Sequence, residues 1–296
     1  MRKRRTQPTR WASMALGMLL VAALFLPGLP GAVSPAALPA FAPTDGDEGI
    51  AVPILMYHGV LKDSNRWNAY VISPAELESD LKYLRQAGYT TIGIADLIAY
   101  VYDSAPLPEK PVLLTFDDGY LNNYVYAYPL LQKYEMKAVL SVIGIHSDYY
   151  TANPDDNAIY AHVNWQQVRE MAASGRVEIE NHSYNLHTIT SSRTASMMVS
   201  GESLPHYRQM LMADAIRLQA RIDEETGRIP QCYTYPYGLV SRESVDILRE
   251  MGFRCTLSCS TGVNQVTRDP DSLILMKRLL RPHGTSAAEV LRRVGG

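Results

Sequence analysis

The stretch Leu113-Leu114-Thr115-Phe116-Asp117-Asp118-Gly119-Tyr120 constrains this chain more than any other. A short apolar, strand-like run ends in two adjacent carboxylates and a glycine. Neighbouring side chains on a strand point to opposite faces, so a chain that needs both acids at one point must turn there. Gly119 permits that turn. Asp and Gly are also common turn residues, and Asp-Asp-Gly by itself describes a surface loop equally well. The apolar run before it favours chemistry, because open α/β sheets and barrels carry their sites where strands end.

Two further clusters follow. Val177-Glu178-Ile179-Glu180-Asn181-His182-Ser183-Tyr184-Asn185-Leu186-His187 holds two of the seven histidines, five residues apart, after another strand-like run. Two His and one carboxylate with open positions form a recurrent catalytic metal set. Taken alone, this pair reads more readily as one core and one surface histidine. Its spacing suits a loop leaving a strand rather than one face of a helix. The third cluster, Tyr233-Thr234-Tyr235-Pro236-Tyr237-Gly238, marks a rigid turn with aromatic walls, either a plain β-turn or the side of a groove.

In this order and spacing the three clusters resemble the polysaccharide deacetylases, the NodB-homology domain or carbohydrate esterase family 4. Pro53–Val60 resembles the opening strand of many bacterial members, Ser73–Asp96 the helix and strand after it, and Ser174–Ile179 the lead-in to the histidines. The likeness spans about residues 50–296. It implies an α/β fold, an irregular (β/α)7 barrel, with Asp117 as general base and Asp118, His182 and His187 holding a divalent ion, usually zinc. It further implies a groove shaped by the backbone after the Pro236 turn, and a substrate that is an N-acetylglucosamine-containing polysaccharide of cell wall or extracellular matrix; Tyr235 and Tyr237 read equally as sugar-stacking or as core residues.

Three departures from the family pattern stand out. The histidines are five apart rather than four, as in a subgroup acting on extracellular poly-N-acetylglucosamine. Where members often place an Arg that braces the base, three residues before the Pro, this chain has Tyr233. The family's late Leu-x-His general acid has only a loose counterpart, His283 in Leu280-Arg281-Pro282-His283-Gly284. Two alternatives remain open: a binding protein that keeps the fold without turnover, and a metal-dependent amidase on a non-sugar substrate.

Composition narrows the rest. The 296 residues, 47% apolar, suffice for one large α/β domain. Net charge is −2, and Arg2, Lys3, Arg4, Arg5 and Arg10 all precede the first acid, Asp45, so the remainder is more acidic still. A nucleic-acid partner is thereby disfavoured. The basic start, the apolar run Trp11–Leu26 and a Pro/Ala-rich linker make residues 1–49 an export segment, either a cleaved signal peptide or a membrane anchor, ahead of a catalytic domain at 50–296. Cys232, Cys255 and Cys259 are odd in number and read as free thiols, although Cys255 and Cys259 are near enough in sequence to pair. A monomer is expected.

Strand-like and helix-like segments alternate from Val52 onward, which implies a parallel sheet flanked by helices. Ser73, Pro74 and Glu76 predict a capped helix start, with Leu77, Leu81 and Leu84 as its apolar face and Gly88 as its stop. Residues 146–163 read as a long loop, and residues 191–205 as an exposed, polar one.

Overall fold

The computed structural model describes residues 49–295, so the export segment read from the sequence lies outside the described residues. Eight short parallel strands form the main sheet: β1 Ile54–Tyr57, β2 Thr90–Ile92, β3 Pro111–Phe116, β4 Ala138–Val142, β5 Val177–Asn181, β6 Cys232–Thr234, β7 Cys255–Leu257 and β8 Leu279–Leu280. Their order across the sheet is β7-β6-β5-β4-β3-β1-β8, while β2 pairs only with the first half of β3. Leu257 bridges to Met276 in parallel, and Leu279 and Leu280 pair with Leu55 and Met56. The segment 276–280 thus touches both edges of the sheet and closes an irregular barrel, with β2 wedged outside the ring.

All six residues of β3 are buried, as expected of a parallel strand covered on both faces. Alternation sorts them: Val112, Leu114 and Phe116 pack outward against the helices, whereas Leu113 joins the interior cluster with Ile54, Val139, Cys232 and Leu257. Thr115 lies one layer higher, and its hydroxyl donates to the Leu55 carbonyl at 3.1 Å. Ser141 and Thr234 hydroxyls meet across the interior at 2.7 Å. Apolar at the bottom and polar in the middle, the interior leads upward to Asp117 and His182.

The helices are α1 Pro74–Gln86, α2 Ile94–Asp103, α3 Tyr128–Tyr134, α4 Gly144–Ala152, α5 Trp165–Ala173, α6 Leu204–Thr226, α7 Arg242–Glu250 and α8 Ala287–Gly295. The capping box of α1 forms as its sequence predicts: Ser73 accepts from the Glu76 N–H, and Glu76 accepts from the Ser73 N–H. Leu77, Leu81 and Leu84 are fully buried, each worth about 1.5–3 kcal/mol of transfer free energy. The expected loop at 146–163 instead begins with α4, whose weak amphipathic pattern carries little periodic signal. A π-helical turn, Asn123–Ala127, precedes α3. Among the described residues no helix is long and apolar enough to cross a membrane.

Asp80, on the buried face of α1, ties this frame together. It takes Arg281 Nε at 2.6 Å and Nη2 at 3.2 Å, the Tyr57 hydroxyl at 3.2 Å and the Ala287 N–H at 2.8 Å. One carboxylate therefore joins α1, β1, the chain after β8 and the start of α8. Asp80→Ala leaves Arg281 buried without its partner and should cost about 3–5 kcal/mol, read as a lower urea midpoint at unchanged slope.

Candidate active site

Each sequence cluster ends its strand in a left-handed turn. Asp117 extends the inward row of β3, and Asp118 adopts φ 70°, which turns the second carboxylate back over the barrel mouth. A Cβ on Gly119, also at φ 70°, would sit 3.1 Å from Val142 Cγ1. After β5, Ser183 has φ 72°, and after β6, Tyr237 has φ 57°. Positive φ at three non-glycine residues is uncommon and gathers where a site over-determines the backbone.

These turns bring Asp118, His182 and His187 together. Asp118 Oδ1 lies 3.5 Å from His182 Nε2 and 3.2 Å from His187 Nε2. The three prospective ligand atoms fall within 4.8 Å of one another. His182 Nδ1 is 2.7 Å from the Thr234 carbonyl, which can only accept, so Nδ1 carries a proton and Nε2 is the nitrogen turned toward Asp118. Burial, then the charge of His182, pulls His187 down to about 4, leaving its ring neutral near neutral pH. Asp118 Oδ1 is buried with no hydrogen-bond partner. An orphaned carboxylate oxygen facing two imidazole nitrogens is a donor set that fits a divalent cation.

Asp117 is held differently. Arg278, fully buried, grips it with two bonds, Nη1 to Oδ1 and Nη2 to Oδ2, each 2.8 Å. Burial pushes the Asp117 carboxyl up, but Arg278, with His182 and His58, outweighs that and keeps it below the usual carboxylate range. The guanidinium is itself fixed by the Ser258 carbonyl at 2.8 Å. Arg278 thus braces Asp117 in place of the residue expected at Tyr233, which is wholly buried against Tyr235 and Phe253. Sequence reading missed Arg278 because it enters from the barrel-closing segment, 161 residues away from Asp117. It also passed over His58 as a site residue. The signal was present: a histidine one residue past β1, where the neighbouring strands carry their acids. His58 Nε2 stands 3.9 Å from Asp117 Oδ2.

These groups floor a cavity of about 810 Å³, whose wall includes Arg66, Tyr70, Tyr120 and Tyr237. Of the expected groove residues only Tyr237 reaches it, its ring 4.2 Å from that of His187. Tyr235 and Pro236 are buried beneath, and the Tyr235 hydroxyl is 2.9 Å from Ser244 Oγ. The structure also corrects the expectation for His283. It lies off the cavity wall, with Nδ1 donating to Glu76 at 3.0 Å and its ring 5.0 Å from Trp67. Cys232 and Cys255 are buried free thiols; Cys259 is free and exposed beside the cavity, its Sγ 3.6 Å from Arg278 Nη2.

Comparison with known proteins gives a consistent result. The sequence model of one family, described as "Polysaccharide deacetylase", matches residues 104–256. The "Poly-beta-1,6-N-acetyl-D-glucosamine N-deacetylase" of Escherichia coli (strain K12) is 26% identical over 231 residues, covering 71% of this chain and 34% of that protein. The chain therefore spans about a third of the length of that relative. Among solved structures, a de-N-acetylase from Aggregatibacter actinomycetemcomitans superposes with TM-score 0.71 at 26% identity, covering 82% of this chain and 99% of that one. IcaB from Ammonifex degensii gives TM-score 0.65 at 29% identity, covering 79% and 94%.

Two measurements check this geometry. Arg278→Met strands a buried carboxylate and should lower stability by about 3–5 kcal/mol by denaturant titration, with Arg278→Lys losing less. Elemental analysis should find one divalent ion per chain, lost in His187→Ala; full occupancy in that variant would refute the ligand assignment.

Proposed function

The chain belongs to the polysaccharide deacetylase family, and from that premise we propose that it hydrolyses N-acetyl groups on a polymer of N-acetylglucosamine, with poly-β-1,6-N-acetylglucosamine as the favoured substrate. The observation that carries this reading is a carboxylate kept ionised by Arg278, adjacent to an Asp/His/His donor set on the floor of one open cavity. Binding alone needs no such base.

An amide carbonyl is a poor electrophile and neutral water a poor nucleophile. Asp118, His182 and His187 would hold a divalent ion, zinc by its preference for this donor set, and that ion would supply Lewis acidity for the carbonyl and for the attacking water. Asp117 takes the proton of the attacking water; Arg278 fixes the carboxylate while each oxygen keeps a second lone pair for that proton. The developing oxyanion meets a backbone N–H at the Tyr237 turn. As the carbon–nitrogen bond breaks, the leaving amine takes the proton that Asp117 removed from water, because burial lowers the pKa of His58 and leaves its ring neutral, and His283 lies off the cavity wall. Products are acetate and a free amino sugar. The basic, apolar and Pro/Ala-rich order of the N-terminus supports an exported or membrane-anchored protein that meets its polymer outside the cytoplasm.

The zinc-loaded protein should release acetate from poly-β-1,6-N-acetylglucosamine oligomers. Asp117→Asn should reduce that release by about 10²–10⁴-fold while retaining its metal. A folded, metal-loaded protein with no release on this polymer would overturn the substrate reading.

A further inference from the structure

The rim of the cavity carries an arm, residues 61–70, with three charged side chains, Lys62, Asp63 and Arg66, of which Arg66 alone lines the cavity. Residues 61–70 contain only a single 3-10 turn, Ser64–Arg66, yet they are held throughout. Trp67 Nε1 donates to the Leu61 carbonyl at 2.8 Å, and the Asp63 carboxylate caps the turn at the Asn65 N–H. Asn68 receives the His283 N–H at 3.1 Å and donates its own to the Val71 carbonyl at 3.0 Å. The Trp67 ring rests on His283, which Glu76 holds in turn. His283 therefore serves as a strut for this arm.

What the arm presents is Arg66. It is exposed, it lines the cavity, and its guanidinium has no acidic partner among the described residues. Of the two acids on the same wall, Asp117 is matched by Arg278, and Asp118, whose Oδ1 has no hydrogen-bond partner, is matched once a divalent cation sits between it and the two histidines. With that cation bound, no negative charge is left there to receive a cationic sugar. At about 810 Å³ the cavity accommodates more than the one reacting residue.

We propose that Arg66 makes the cavity select acetamido sugars whose neighbours are still acetylated, and disfavour polymer that carries a free amine beside the target. The inference rests on the deacetylase reading, in which each turnover replaces a neutral acetamide by a basic amine. A protonated amine one sugar away meets Arg66 within about a Debye length, where like charges repel. Successive removals are then spaced along the polymer, and product leaves the site readily.

The test compares kcat/KM of the metal-loaded full-length protein on two defined oligomers, one fully N-acetylated and one with a single free amine next to the remaining target. The wild type should prefer the former by about three- to ten-fold, less in 1 M salt. In Arg66→Gln the ratio should fall toward one, and Arg66→Lys should keep it; Arg66 is exposed, so both variants retain the fold. Sequencing of partial products should show spaced amines with the wild type and clustered amines with Arg66→Gln. A ratio unchanged in Arg66→Gln, or lost equally in Arg66→Lys, overturns the proposal. Acetate released from both oligomers at equal rates by the wild type removes the inference alone, whereas release from neither removes the deacetylase reading and the inference with it.

Discussion

The two-pronged pairing of Arg278 with Asp117 is the contact on which the site depends. A carboxylate this deeply buried would otherwise take up a proton and cease to be a base. Its partner comes from the segment that also closes the barrel, because Met276 bridges to β7 while Leu279 and Leu280 pair with β1. Closure of the sheet and ionisation of Asp117 are thus one structural event. Three residues further on, Arg281 anchors the same segment to Asp80 beneath α1. Such buried pairs add little net stability over apolar packing, but each is costly to leave half made, so together they fix where this segment lies.

Backbone conformation delivers what side-chain alternation cannot. On a regular strand Asp117 and Asp118 would face opposite ways. The left-handed turn at Asp118 brings both to the mouth of the barrel, and the turns at Ser183 and Tyr237 do likewise for the histidines and the aromatic wall. Gly238 makes the last of these feasible, since a Cβ there would lie 2.4 Å from the Cβ of Cys259. The strain is local, and it is carried by the barrel beneath: parallel strands buried on both faces and polar contacts such as Ser141 with Thr234.

Around the reacting groups the structure separates chemistry from recognition. Asp117, Asp118 and His182 follow directly on strand ends, while His187 lies in the loop after β5 and Arg278 in the segment that closes the barrel. Arg66 and Tyr70 sit on an arm that owes its rigidity to Trp67, Asn68 and His283. A histidine whose motif suggested proton transfer is instead part of the support for one wall of the cavity.

Much was legible in the sequence, and the reason is range. The capping box at Ser73 and Glu76, the buried leucines of α1, the apolar strand before Asp117 and the turn signals after each strand are set by residues a few positions apart, so they survive without knowledge of the fold. The family resemblance built on those clusters singled out Asp117, Asp118, His182 and His187, which the structure gathers at one cavity. The sequence could not say that Tyr233 and Tyr235 turn into the core while Tyr237 turns out, because β6 is too short to show alternation. Nor could it find the partner of Asp117, the approach of His58, the strut made by His283 or the unmatched charge of Arg66. Each depends on which segments the closing of the barrel brings side by side, and a contact between residues 161 positions apart leaves no trace in the spacing of either.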